Sequence, residues 1–206
     1  MTRRARRLTW AKDDPFGAEQ AVVERSDRGG LVAAGVALGS APVAYRLDYE
    51  LETDDGLVTR RLAVTASGEG WRRSIDLRRD GDGWHATTTT EGKAQLPAPG
   101  GDVSALGAAA LDCDLGLSPL TNSMPVLRHG FLREGPRDFT MAWVSVPDLE
   151  VHAERQRYTF VGDEPDGATL VRFDSLDGSF TAEIRFDADG FVLDYPGIAR
   201  RLGAQA

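Results

Sequence analysis

The chain has 206 residues, of which 41% are hydrophobic, and a formal net charge of −8. That length suits one β domain or two small ones with a sizeable core. The acidic balance argues against a general nucleic-acid binder, because neutralising phosphates takes a surplus of Lys and Arg, and no segment reaches the roughly 18 consecutive apolar residues of a membrane span.

The basic opening Met1-Thr-Arg-Arg-Ala-Arg-Arg7 is followed by Leu8-Thr-Trp-Ala11 and at once by Lys12-Asp-Asp14, which leaves no apolar core for a signal peptide. The single cysteine, Cys113, excludes an intrachain disulfide and reads as a small core residue. Together these features predict a cytoplasmic protein. From Val43 to Glu52 the chain alternates: Tyr45, Leu47, Tyr49 and Leu51 share one face, while Arg46, Asp48, Glu50 and Glu52 share the other. Period-2 patterning of that kind predicts a half-buried antiparallel strand. Asp54-Asp55-Gly56 supplies hairpin chemistry before Val58, Leu62 and Val64, and Trp71, Ile75 and Leu77 follow before Asp80-Gly-Asp-Gly83. Similar strand patterns recur over 152–161, 169–173, 180–186 and 191–193.

Between them lies less regular chain. The alanine-rich stretch from Val103 to Leu111 is the one candidate helix, weakened by Gly107, with an extended link as the alternative. Ser118-Pro-Leu-Thr-Asn122 and Ser123-Met-Pro125 predict a rigid, irregular, turn-built backbone. One constant offset pairs Tyr49 with Tyr158, Trp71 with Phe180, Ile75 with Ile184, Leu77 with Phe186 and Gly81 with Gly190. This allows two halves, about 9–91 and 125–202, joined by 92–124 within a single domain spanning 1–206.

Catalytic signatures are sparse. Asp112 and Asp114 have the spacing of a cation-sharing pair, but further oxygen ligands are not evident, and turn or helix-capping roles are the alternative. His85, His129 and His152 lack metal-ligand spacing, and neither a GxSxG elbow nor a Walker loop occurs. No metal, cofactor or catalytic residue is therefore expected. Thr121, Asn122 and Arg128 offer groups suited to hydroxyl-rich or anionic head groups. On the strand after Val151, His152, Glu154, Gln156, Tyr158 and Phe160 share a mixed face, while Arg155 and Arg157 point the other way.

Several phrases in order resemble the bacterial putative glycolipid-binding family, formerly a domain of unknown function. They are Trp10 with Gly17 and Glu19, Asp112-Cys-Asp-Leu115, Ser118-Pro-Leu-Thr-Asn122, Met124-Pro-Val-Leu-Arg128, Gln156-Arg-Tyr-Thr159 and Asp194-Tyr-Pro-Gly197. The resemblance implies a mainly β fold, an antiparallel spiral β-roll or curved sheet of about a dozen strands with at most one or two short helices. It also implies a ligand-binding set of Asp112, Asp114, Thr121, Asn122, Arg128, Gln156, Tyr158, Asp194 and Tyr195. The family's second arginine is replaced here by Leu127. The expected function is a noncatalytic carrier or sensor enclosing a lipid or glycolipid in the curved sheet. The alternatives are a hydrolase-like enzyme acting on a lipid or sugar conjugate and a structural or protein-binding module.

Overall fold

A computed structural model describes residues 4–81 and 83–203. Seven strands follow one another as an antiparallel meander: β1 (Arg4–Asp13), β2 (Phe16–Arg25), β3 (Leu31–Gly39), β4 (Tyr45–Thr53), β5 (Thr59–Gly68), β6 (Trp71–Asp80) and β7 (Gly83–Gly92). After a 3-10 turn at Val103–Leu106 come β8 (Ala110–Leu115), a second 3-10 turn at Pro119–Asn122 and the short helix α1 (Ser123–Arg128). The rest is β9 (Arg137–Val144), β10 (Val151–Asp163), β11 (Thr169–Ser175), β12 (Thr181–Phe186), β13 (Val192–Tyr195) and β14 (Ala199–Arg201).

All fourteen strands belong to one curved, unclosed sheet, in the order β7-β6-β5-β4-β3-β2-β1-β14-β13-β12-β11-β10-β9-β8. The chain thus starts mid-sheet, builds outward to β7, crosses to the opposite end at β8 and returns through β14 to pair with β1. Every neighbouring pair is antiparallel except β8 with β9. The predicted alternation over β4 is borne out: Tyr45, Leu47, Tyr49, Leu51 and Thr53 are buried and the residues between them are not. On the buried side of the sheet, Leu47, Leu51, Leu62, Val64, Ile75 and Leu77 join Ala110, Cys113 and Leu115 of β8 in one apolar cluster. A second cluster, around Tyr158, Phe173, Ile184 and Phe186, lies under β10–β12. The constant offset in the sequence pairs residues in and beside β4 and β6 with residues in and beside β10 and β12.

Two elements differ from the expectations. The candidate helix over 103–111 is only a 3-10 turn, stopped at Gly107, whose φ of 61° is a left-handed conformation that glycine accepts readily; its last two residues already belong to β8. The helix forms instead at Ser123–Arg128, within the proline-bearing stretch that reads as turns. There Pro119 opens the 3-10 turn leading into it, where a missing N–H costs no hydrogen bond. Among the described residues, no helix is long and apolar enough to cross a membrane.

β8 ends the sheet, so among the described residues one of its edges has no strand partner, yet four of its six residues are buried in succession. Side chains from across the fold supply hydrogen bonds to that strand. The Cys113 N–H donates to Thr59 Oγ1 at 3.0 Å, and the Ala110 carbonyl accepts from Trp84 Nε1 at 2.9 Å and Arg79 Nε at 3.1 Å. A Thr59→Val variant keeps the shape but removes the acceptor from the buried Cys113 N–H. It should lower unfolding free energy by about 1–3 kcal/mol in urea titrations, the cost of a stranded buried donor.

Candidate functional site

The site starts from the alternation of β8. Asp112 and Asp114 fall on one side of the strand, and Cys113 faces the other way, beside Thr59 and Met124. Cys113 is fully buried, and that burial pushes its thiol up to about 12, which makes it a core residue and not a nucleophile.

Asp112 is held by Arg128, the last residue of α1. Arg128 Nη1 donates to Asp112 Oδ1 at 2.8 Å, its Nη2 donates to Oδ2, and Nη1 also reaches the Leu57 carbonyl at 3.0 Å. The arginine fork is thus occupied by protein groups. Burial raises the Asp112 pKa by more than Arg128 lowers it.

Asp114 is the hub of a second arrangement. Its Oδ1 accepts from Thr121 Oγ1 at 2.8 Å and its Oδ2 from Gln156 Nε2 at 2.7 Å. Tyr158 Oη donates to Gln156 Oε1 at 3.2 Å and accepts from Asn122 Nδ2 at 2.9 Å. Asp114, Thr121, Asn122, Gln156 and Tyr158 are all buried. Five of the nine residues proposed from sequence therefore form one hydrogen-bonded chain linking β8, the 3-10 turn and β10. Burial raises the Asp114 pKa first, opposed by the Gln156 and Thr121 hydrogen bonds and assisted by the Asp112 charge.

A further buried cluster supports this turn from behind. Glu19 Oε1 accepts from Ser118 Oγ at 2.7 Å and Tyr49 Oη at 2.8 Å, and Glu19 pairs with Lys12 at 3.2 Å. Tyr49 pairs in register with Gly35, where a Cβ would lie 2.3 Å from Tyr49 Cζ. A glycine at position 35 is what lets the ring lie across β3.

Above the Asp114 network lies a cavity of about 250 Å³. Its buried polar lining comes from Asp114, Ser118, Asn122, Ser145, Gln156 and Ser175, with half-buried Glu154 beside them. The Ser175 hydroxyl is shared between Asp177 Oδ1 at 2.6 Å and Glu154 Oε1 at 3.3 Å. The Glu154 pKa is raised by burial first and then by the Asp114 charge. Half-buried Leu117, Trp143, Val146, Phe180 and Ile198 form an apolar rim. Phe173, Phe180 and Tyr195 make an aromatic wall, with ring centroids 6.0–6.1 Å apart. Burial raises the Tyr195 phenol, and the charges of Asp114 and Glu154 raise it further.

Asp114, Asn122, Gln156 and Tyr195 of the predicted set line the cavity, and Thr121 and Tyr158 stand behind them. Asp112 and Arg128 are paired away from it, and Asp194 sits half-buried on β13, outside its lining. Glu154, Trp143, Phe173, Ser175 and Phe180 also line the cavity but lie outside the set expected from sequence. Only Glu154 carried a local signal, since it shares the β10 face with Gln156. Among the described residues, no group of three or more His, Cys, Asp or Glu is placed to hold a metal ion.

A family model described as "Putative glycolipid-binding" matches residues 7–201. The chain belongs to that family. Among solved structures, it is similar to a DUF1089 family protein from Pseudomonas aeruginosa, with 28% identity, a TM-score of 0.65, and coverage of 89% of this chain and 92% of that one. No curated protein matches it. The resemblance seen in the sequence phrases is therefore borne out at the level of family and mainly β fold.

Because Asp114 in the folded protein lies above its ordinary 3.8, the fold holds that proton more tightly than the unfolded chain does. Its stabilisation is complete below the unfolded value and fades as pH rises through the folded one. Urea unfolding of wild type and Asp114→Asn across the acid-to-neutral range should show the stability difference shifting against wild type as pH rises. A difference independent of pH would contradict this placement of the carboxyl group.

Proposed function

We propose that this protein is a noncatalytic carrier or sensor that binds a lipid or glycolipid by its head group. The observation that carries the reading is the layering of one cavity, with hydrogen-bonding groups at its floor and an apolar, partly aromatic rim at its mouth. An amphiphile entering head first meets hydroxyl, amide and carboxyl partners below and apolar side chains where its chain begins. A cavity of about 250 Å³ suits a sugar-sized head and not an acyl tail. The interior beneath β4–β6 is occupied by the cluster around Leu47, Leu62 and Ile75, so this reading sets the tail along the rim and not inside the sheet. The family's description accords with a ligand of this kind.

The noncatalytic part of the reading rests on Asp114, both of whose oxygens already accept hydrogen bonds from the protein. A hydrolytic reading draws on one observation, that Asp114 and Glu154 line the same cavity and both have raised pKa values. Release of nitrophenol from nitrophenyl glycosides, lost in Glu154→Gln, would favour that alternative.

Organic extraction of the purified protein followed by mass spectrometry should recover an amphiphile, and adding it back to delipidated protein should raise the melting temperature. The same addition should change tryptophan fluorescence, and Trp143→Phe should remove most of that change although three other tryptophans remain of the four. Recovery of no amphiphile, with no thermal shift across a lipid panel, would count decisively against the reading.

A further inference from the structure

The cavity is electrostatically one-sided. Asp114 and Glu154 line it, and among the described residues its lining includes no Lys, Arg or His. The donors to Asp114 are the neutral groups of Thr121 and Gln156, and Glu154 accepts from the neutral Ser175 hydroxyl. Arg128, the nearest cation along the chain to Asp114, is tied to Asp112 and to the Leu57 carbonyl, and Arg155 and Arg157, beside Glu154 and Gln156, lie on the opposite face of β10, where both pair with Asp138. An anion entering would bring its charge towards carboxylates in a space where water screens poorly, whereas sugar hydroxyls would donate to the half-exposed Glu154 carboxylate. The wall of Phe173, Phe180 and Tyr195 offers apolar ring surface to the C–H faces of a sugar ring.

Building on the reading that this cavity holds a head group, we propose that it selects an uncharged, hydroxyl-rich head, a single neutral hexose. We propose equally that it rejects heads bearing phosphate, sulfate or carboxylate. Glu154 is the specificity-determining residue in this scheme, because it is the carboxylate at the cavity that remains half-exposed.

Octyl glucoside and octyl glucuronide test this directly, since they match in shape and differ by one carboxylate. Calorimetric titration of the full chain at neutral pH should show the glucoside bound tighter by about tenfold or more, the effect of about 1.4 kcal/mol of charge repulsion. Glu154→Gln should narrow that ratio by strengthening glucuronide binding. Ser179→Lys, at an exposed position beside the mouth, should narrow it as well without touching the packed interior. Circular dichroism and melting of each variant verify the fold. Equal affinity of the wild type for both glycosides, or a ratio that neither variant moves, would overturn the proposal.

If neither glycoside binds, the lipid recovered by extraction decides. A neutral glycosyl head supports the proposal, an anionic head overturns it while leaving the amphiphile reading intact, and an empty extract removes both.

Discussion

A carboxylate shielded from water governs the architecture around the cavity. Asp114 is buried, and a buried carboxylate is tolerable only when donors reach it with good geometry. Thr121 and Gln156 meet that demand from the 3-10 turn and from β10, so satisfying one side chain fixes three elements relative to one another. Gln156 and Tyr158 extend the constraint to Asn122, which brings the turn's last residue to the cavity. Remove the carboxylate and the donors lose their shared acceptor, so the cavity floor and the packing of α1 are coupled.

Much of the family pattern serves the same framework. Trp10 is buried and its indole donates to the Val192 carbonyl at 3.0 Å, tying β1 to β13 near the seam where the sheet's two halves join. Gly17 faces the Leu38 carbonyl oxygen so closely that a Cβ would lie 2.3 Å from it. Glu19 gathers Lys12, Tyr49 and Ser118 behind the turn that carries Thr121 and Asn122. The Asp112–Arg128 pair closes α1 onto β8. Leu127, where the family resemblance implies a second arginine, also lies outside the cavity lining. Leu127 instead packs over Gly190, where an added Cβ would lie 2.2 Å from Leu127 Cδ2.

The strands were readable in the sequence because a sheet with one buried face writes its alternation into every second residue, as Tyr45 to Leu51 do. β8 was not readable. Its Cys113, Asp114 and Leu115 are buried in sequence, so no alternation of apolar and polar residues marks it, and two of its residues are aspartates whose burial makes sense only once their partners are known. Helix α1 was hidden by the prolines that also begin turns. The central polar residues of the site were legible as a motif, and Tyr158 and Gln156 by their shared strand face. The aromatic wall was not, because Phe173, Phe180 and Tyr195 come from β11, the segment before β12 and β13 and meet only in three dimensions.

A filled sheet interior thus stands beside a small polar cavity with an apolar mouth, and the proposed recognition lies at the cavity alone. The competing surface is the outer face of β3, where Val32 and Leu38 are exposed. Intermolecular nuclear Overhauser effects between a bound alkyl glucoside and selectively protonated side chains distinguish the two. Contacts are expected from sugar ring protons to Phe173, Phe180 and Tyr195, and from the first alkyl protons to Leu117, Val146 and Ile198. Contacts confined to Val32, Val36 and Leu38 on β3 would contradict recognition at the cavity.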